Sequence, residues 1–209
     1  MRRSLTPEIM DGPDIPAGIK RKFHADLKLI HRFMDNGSMI IRHLHGERRV
    51  MDIGCGDGEL LSQVQTKTGA EVQGVDLVDQ PEAKAPVIRA DATRDPLPEA
   101  DVAISSLVIH HLTEQQAINL IRNVGRSCKR FVILDLVRHP LPLWLFTIFL
   151  CPFLSRVGAA DGRQSVRRAF TGPEMKNLVT RALSGTPAKF DQWVSRFAAR
   201  QVIDINYRP

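Results

Sequence analysis

The sequence predicts an α/β fold built on a mainly parallel sheet. Three observations carry that prediction. An apolar run, Arg49-Val50-Met51-Asp52-Ile53, ends in glycines at alternate positions, Gly54, Gly56 and Gly58, and Glu59-Leu60-Leu61 then opens a helical pattern. Strand-like and helix-like runs continue to alternate as far as Leu136. The chain closes on two strand-like runs, Lys189 to Ser195 and Arg200 to Tyr207, separated by a tight turn at Phe197-Ala198-Ala199. Such alternation predicts parallel strands joined by right-handed crossovers. Glycine permits backbone angles and close approach that a β-carbon forbids. The first turn therefore lets a ligand lie against the backbone at the carboxyl end of a strand, where ligands of open α/β sheets bind.

Residues 1–19 read as an irregular arm, with Pro7, Gly12, Pro13, Pro16 and Gly18. From Ile19 to Met34, Phe23, Leu27, Ile30 and Met34 recur at helical spacing. Asn36-Gly37 is expected to break that helix, and Ser38 to cap a short one over Met39 to Leu44. Strands are expected near 49–53, 71–76, 86–90, 101–106 and 130–136, and helices near 58–67 and 114–127, the latter capped by Thr113. The crossover around 79–85 contains Pro81 and has room for only a turn of helix. Thr171-Gly172-Pro173-Glu174 is a capping box with proline in the first turn. It starts a helix that reaches about Ala182.

The glycine spacing discriminates among nucleotides. A dinucleotide fingerprint needs Gly-x-Gly-x-x-Gly, so that helix amides meet a pyrophosphate. Here the spacing is Gly54-x-Gly56-x-Gly58, with Asp52 before it and Asp57 inside it. Two carboxylates in the turn repel a pyrophosphate and suit a ligand with a positive centre. Glu71 to Asp76 reads as a second strand ending in a carboxylate about twenty residues beyond the glycines, where an acidic side chain can accept bonds from both ribose hydroxyls. Pro86 to Ala92 reads as a third strand that ends at Asp91.

The Asp52–Gly58 stretch, with Asp76 and Asp91 in that order, resembles the motifs of class I S-adenosylmethionine (SAM) dependent methyltransferases. The resemblance runs from about residue 20 to the end. It implies a Rossmann-like seven-stranded sheet of order 3-2-1-4-5-7-6, the last strand antiparallel, with helices on both faces. It implies SAM as cofactor and S-adenosylhomocysteine as product. Residues 1–45 become an arm and cover helices, and 46–209 the methyltransferase domain, with an apolar insertion near 139–170. Cofactor contacts are implied at Asp52, Gly54, Cys55, Gly56, Gly58 and Ser106. Asp76 is implied for the ribose and Asp91 for the adenine amino group, with Val75, Leu77 and Ala92 along the adenine faces. The fourth motif reads Ser105-Ser106-Leu107-Val108 instead of the Asp/Asn-Pro-Pro-Tyr/Phe of nucleobase amino methyltransferases, which argues against base methylation.

The chain has 209 residues, 43% hydrophobic and 25% charged, which suits one globular domain with a full core. Cys55, Cys128 and Cys151 are far apart and odd in number, and give neither a metal-ligand spacing nor a disulfide framework. No metal is expected, and a reducing, cytoplasmic setting fits. The net charge of +6 permits attraction to nucleic acid, membrane surfaces or acidic substrates, but it is spread along the chain as on a solvated basic surface.

Pro140 to Leu154 is the least ordinary stretch: fifteen uncharged residues with three prolines. It is too short and broken to span a bilayer. Three readings stay open: a buried helix, a lid over an apolar substrate, or a membrane-surface anchor. Asp161, Arg167 and Arg168 border it, and surface positions are expected for them.

Methyl transfer from SAM is an in-line displacement at carbon, and holding acceptor and methyl in line supplies much of the catalysis. A base is needed where the acceptor must lose a proton. His110 and His111 follow the fourth strand and are the candidate catalytic residues, since an imidazole titrates near neutral pH. His139, Arg138, His24 and Arg32 are further candidates near the pocket, Arg32 as a partner for the methionine carboxylate. The expected activity is methyl transfer to an oxygen or carbon of a small lipophilic acceptor, phenolic, quinone-like or polyketide-like. Nucleic acid is an unexpected partner, and peripheral membrane contact through 140–154 is allowed. The alternatives are an RNA methyltransferase and a SAM-binding scaffold without turnover, with a nicotinamide oxidoreductase more distant.

Overall fold

The computed structural model describes every residue except Pro13, Arg196, Ala198 and Pro209, and the side chains of all but His31 and Arg32 among the rest. The expected turn at Phe197-Ala198-Ala199 and the role given to Arg32 thus lie partly outside the described residues. Seven strands form one sheet: β1 (Arg49–Ile53), β2 (Glu71–Asp76), β3 (Val87–Arg89), β4 (Ala100–Ser106), β5 (Cys128–Leu136), β6 (Lys189–Val194) and β7 (Arg200–Asn206). Their order is β3-β2-β1-β4-β5-β7-β6. Strands β1 to β5 pair in parallel, and β7 runs antiparallel to both β5 and β6. The topology is the expected one.

Both faces of the sheet are covered, which explains the near-continuous apolar runs. Phe131 and Ile133 of β5 join Met51, Ile53 and Ala103 on one face, under α4 (Glu114–Ser127) and α7 (Gly172–Leu183). Val132 and Leu134 join Val50, Val102 and Ile104 on the other, under α2 (Asn36–Ile41) and α3 (Glu59–Thr68). Thr113 and Thr171 cap α4 and α7 with the expected reciprocal boxes.

Two local expectations are corrected. Ser38 is not a cap: α2 starts at Asn36, directly after Asp35, which takes a left-handed φ of 48°. Asp tolerates that conformation because its short polar chain can bond locally. Asn36 does not break the chain but is buried, accepting a bond of 2.7 Å from Arg200 on β7. Between β2 and β3 the crossover contains turns and no helix.

The remaining helices build a roof over the carboxyl ends of the strands: α1 (Ala17–Met34), α5 (Pro140–Leu145) and α6 (Arg156–Arg168). Between α5 and α6 the chain makes a π-helical turn, Phe146–Leu150, then a 3-10 turn, Cys151–Phe153. Asp26 of α1 is buried and ties the roof together, accepting from the Ser155 amide at 3.1 Å and its hydroxyl at 2.5 Å. Gly158 makes the approach possible, because a β-carbon there would lie 2.2 Å from the Asp26 carboxylate. Gly158→Ala is expected to lower stability by roughly 1–3 kcal/mol through overpacking, and an unchanged urea midpoint would refute the contact.

Candidate functional site

Asp52 lies near the carboxyl end of β1, an interior strand between β2 and β4, and the glycines after it turn the chain tightly. Gly54, Gly56 and Gly58 have φ of 72°, 52° and 71°, which demand glycine. A β-carbon on Gly56 would project into open space, whereas one on Gly54 would strike Val108 at 2.5 Å. The turn is held by Asp76 at the end of β2, whose carboxylate accepts from the Gly56 amide at 2.9 Å and the Val78 amide at 3.0 Å. Each Asp76 oxygen keeps acceptor capacity. Cys55 packs back onto β2, where Gly74 leaves room for its sulfur. Burial and the charges of Asp52 and Asp76 push its thiol up to about 12, so it is a packing residue and not a nucleophile.

Asp52 is buried, and one of its oxygens has no hydrogen-bond partner among the described residues. Burial, then the neighbouring Asp76 charge, raises its pKa well above the usual carboxylate range. The Ser106 hydroxyl at the end of β4 is likewise buried without a partner. Leu107 follows in a left-handed conformation, φ 60°, a strained state for a branched side chain.

A cavity of about 1390 Å³ runs from this turn to the roof. That exceeds the ~300–1,000 Å³ of a pocket for one small molecule, so two ligands can lie end to end. One end is polar, with Asp52, Gly54, Gly56, Asp57 and Ser106. The other is apolar, with Phe23, Leu27 and Ile30 of α1 facing Leu145, Phe146 and Phe149. The 140–154 segment is thus not a buried helix but part of the roof over this cavity. Its inner side lines the cavity, while Trp144 and Phe153 are 68% and 73% exposed.

His110 and His111 stand between the two ends, in a 3-10 turn over Ile109–His111. His110 is buried, and its Nδ1 lies 2.6 Å from Asp135, a carboxylate only 1% exposed at the end of β5. The His110 amide donates to the other Asp135 oxygen at 2.8 Å. The two bonds to Asp135 fix the orientation of the ring and leave Nε2 outside that pairing. His111 Nδ1 lies 3.4 Å from Asp11 of the N-terminal arm. Burial opposes charge on His111, but the Asp11 hydrogen bond and the Glu8 and Asp11 charges outweigh it and raise its pKa. The same bond holds Asp11 well below the carboxylate range.

Sequence reasoning missed Glu8, Asp11 and Asp135. The arm carries no periodic signal, and Asp135 reads as one polar residue in an apolar strand. Asp161 and Arg168 are corrected from the surface to the interior. Asp161 accepts the Ile9 and Met10 amides at 2.8 and 3.0 Å, and Arg168 pairs with Asp11 at 2.6 Å. Arg167 is exposed as expected. His139 is exposed and caps α5, accepting from the Leu141 amide at 3.2 Å. Arg138 is buried in structural bonds to Met1, Ala169 and Glu174. His24 lines the cavity.

The adenine-side residues lie outside that cavity. Leu77 is exposed beyond β2, while Val75 and Ala92 are packed into the core. Asp91 accepts from the Thr93 amide and hydroxyl at 3.0 and 2.7 Å and pairs with Arg94 at 3.0 Å. Its own turn and Arg94 thus use much of its acceptor capacity. No helix is long and apolar enough to cross a membrane among the described residues.

A methyltransferase-domain family model matches residues 21–147. No curated protein matches the chain. The plantazolicin methyltransferase BpumL, solved with a monoazolic desmethylPZN analog and SAH, is similar at TM-score 0.71 and 14% identity, covering 91% of this chain and 90% of that one. Human N-acetylserotonin methyltransferase with SAM is similar at TM-score 0.60 and 17% identity, covering 98% and 62%. An O-methyltransferase family 2 protein from Planctomyces limnophilus with apigenin is similar at TM-score 0.61 and 16% identity, covering 93% and 63%.

Because His111 has a raised pKa when folded, its pairing stabilises the protein fully below pH 6.5, the ordinary value, and the stabilisation is lost as pH rises through the folded value. Denaturation in chelator-containing buffer is expected to show that fall, up to about 1 kcal/mol for a partly exposed pair. His111→Asn is expected to flatten it.

Proposed function

The chain belongs to the methyltransferase-domain family and is a SAM-dependent enzyme of the class I fold, and on that premise we propose that it methylates an oxygen or carbon of a small lipophilic acceptor beneath the 140–154 lid. The observation that carries this reading is the cavity that joins a polar glycine turn to an apolar chamber, with the His110 imidazole between them. SAM supplies an electrophilic methyl on a sulfonium.

The polar end fits that donor. Asp52 and Ser106 offer buried, unpartnered oxygens, and Asp76 can accept from a ribose. Gly56 leaves the open space that a ligand lying on the backbone needs. In this reading the raised pKa of Asp52 is relieved when a cation binds beside it. Asp91 is the weaker adenine partner, given its bonds to Thr93 and Arg94. The apolar end suits a phenolic, quinone-like or polyketide-like body. His110, oriented by Asp135, takes the proton from an acceptor hydroxyl through Nε2.

The exposed outer face of the lid, with Trp144, Ile148 and Phe153, favours a second reading for supply: an acceptor drawn from a lipid surface. Flotation with lipid vesicles tests it, and failure to float would remove it.

Incubation with methyl-labelled SAM and lysate, then partition, tests the acceptor class. Label is expected in the organic fraction; label in RNA would overturn the reading. Asp76→Ala is expected to weaken SAM binding by roughly 1–3 kcal/mol through lost charge-assisted bonds, read by calorimetry. SAM affinity is expected to rise with pH as Asp52 gives up its proton, and Asp52→Asn to abolish that dependence. A pH-independent affinity in the parent protein would remove Asp52 from the cation's surroundings.

A further inference from the structure

Two histidines and a glutamate converge in a way that acceptor deprotonation alone does not require. His110 Nε2 lies 3.8 Å from one oxygen of Glu8, and His111 Nε2 lies 3.9 Å from the same oxygen. These separations are too long for hydrogen bonds, so a proton on either nitrogen leaves Glu8 unsatisfied by it. The donor atoms of the three residues all lie within 4.8 Å of one another. At a tetrahedral ion with bonds of about 2.0–2.2 Å, ligand atoms stand roughly 3.4 Å apart. Side-chain shifts of less than about one ångström close the cluster around such an ion.

The outer partners match as well. Metal-binding histidines usually give their second ring nitrogen to a carboxylate, which fixes the tautomer and raises ligand basicity. Here both do so: His110 Nδ1 to Asp135 at 2.6 Å and His111 Nδ1 to Asp11 at 3.4 Å. Glu8 is buried and oriented by the Ser165 hydroxyl, which donates to it at 2.8 Å. The local charge favours a cation. Glu8, Asp11 and Asp135 surround the two rings, Arg168 is paired with Asp11 at 2.6 Å and donates to the His110 and His111 carbonyls, and Arg3 is turned onto the Phe170 ring and the His110 and Leu112 carbonyls.

We propose that Glu8, His110 and His111 bind a divalent transition-metal ion, zinc being the ion that two imidazoles and one carboxylate suit best. No cysteine or histidine spacing in the sequence signals this site, because Glu8 comes from an arm a hundred residues away in the chain. Three protein ligands leave a coordination position open towards the cavity that His110 and His111 line. Resting on the acceptor reading above, that position is where an acceptor oxygen would bind. Zinc lowers the pKa of a bound water to about 7, and a coordinated hydroxyl is acidified in the same way. His110 then acts as a ligand in the loaded protein and as the base in the metal-free one. The site also clips the N-terminal arm over the acceptor end.

The test uses untagged full-length protein stripped with chelator. Titration with zinc alone, read by calorimetry and by metal analysis after dialysis, is expected to give one equivalent. Cobalt is expected to give the intense visible bands of a four- or five-coordinate site. Glu8→Gln and His111→Asn are each expected to weaken zinc binding at least tenfold while SAH binding, read separately, reports an intact fold. Absence of saturable zinc binding, or binding undiminished in both variants, overturns the site. The labelled-methyl partition is independent of these readouts. Zinc binding with label confined to RNA would therefore sink the acceptor reading and leave the metal site standing.

Discussion

A carboxylate buried at the end of β5 is the constraint that organises the acceptor end. A carboxyl group buried there needs hydrogen-bond donors, since unsatisfied buried polar groups are costly. The His110 ring, the His110 amide and the Leu136 amide supply them. To bring ring and amide to the same carboxylate, the chain after β4 folds into a short 3-10 turn, preceded by the strained Leu107. Leu107 is pinned by its amide bond to the Leu134 carbonyl at 2.9 Å. The outcome is an imidazole that cannot rotate freely and that presents one defined nitrogen to the cavity. Pre-organisation of this kind is what methyl transfer needs, because a small misplacement of the acceptor forfeits much of the rate.

The opposite end obeys a different electrostatic logic. Asp52 and Asp76 lie near enough for the charge of one to raise the pKa of the other, one Asp52 oxygen is buried with no hydrogen-bond partner among the described residues, and Asp52 lines the cavity. A fold does not maintain such a pair for stability, since like charges and burial both work against it. Such a pair is one that a positively charged guest would relieve. The glycine turn leaves open space beside the backbone at Gly56. The two ends of the cavity thus differ, one acidic and polar, the other apolar.

Between them, the roof makes the site a compartment. The lid segment has apolar side chains on both its inner and outer sides, so it cannot bury all of them against one neighbour. It is held at its base by polar bonds instead, from Asp26 to Ser155 and from Asp161 to the arm. The arm in turn places Glu8 and Asp11 against the paired histidines. Lid, arm and cover helix thus depend on one another through a few buried carboxylates, each of which is satisfied by backbone or hydroxyl donors.

The sequence by itself determined the sheet, its strand boundaries to within a residue or two, the capped helices α4 and α7, and the glycine turn with Asp52 and Asp76. Those features follow from local periodicity and from residues whose backbone demands are unmistakable, such as Gly54 and Gly56. It also marked His110 and His111 by position, without saying what they face. Only the tertiary structure decided the rest. Asp135, Glu8 and Asp11 acquire meaning through partners 25 to more than 100 residues away. Arg168 and Asp161 proved interior because the arm covers them, and the 140–154 segment lines the cavity because α1 lies across from it. Hydrophobic patterning reports which face of an element is covered. It carries no information about which distant polar groups must meet, and the polar cluster around His110 and His111 is made of those meetings.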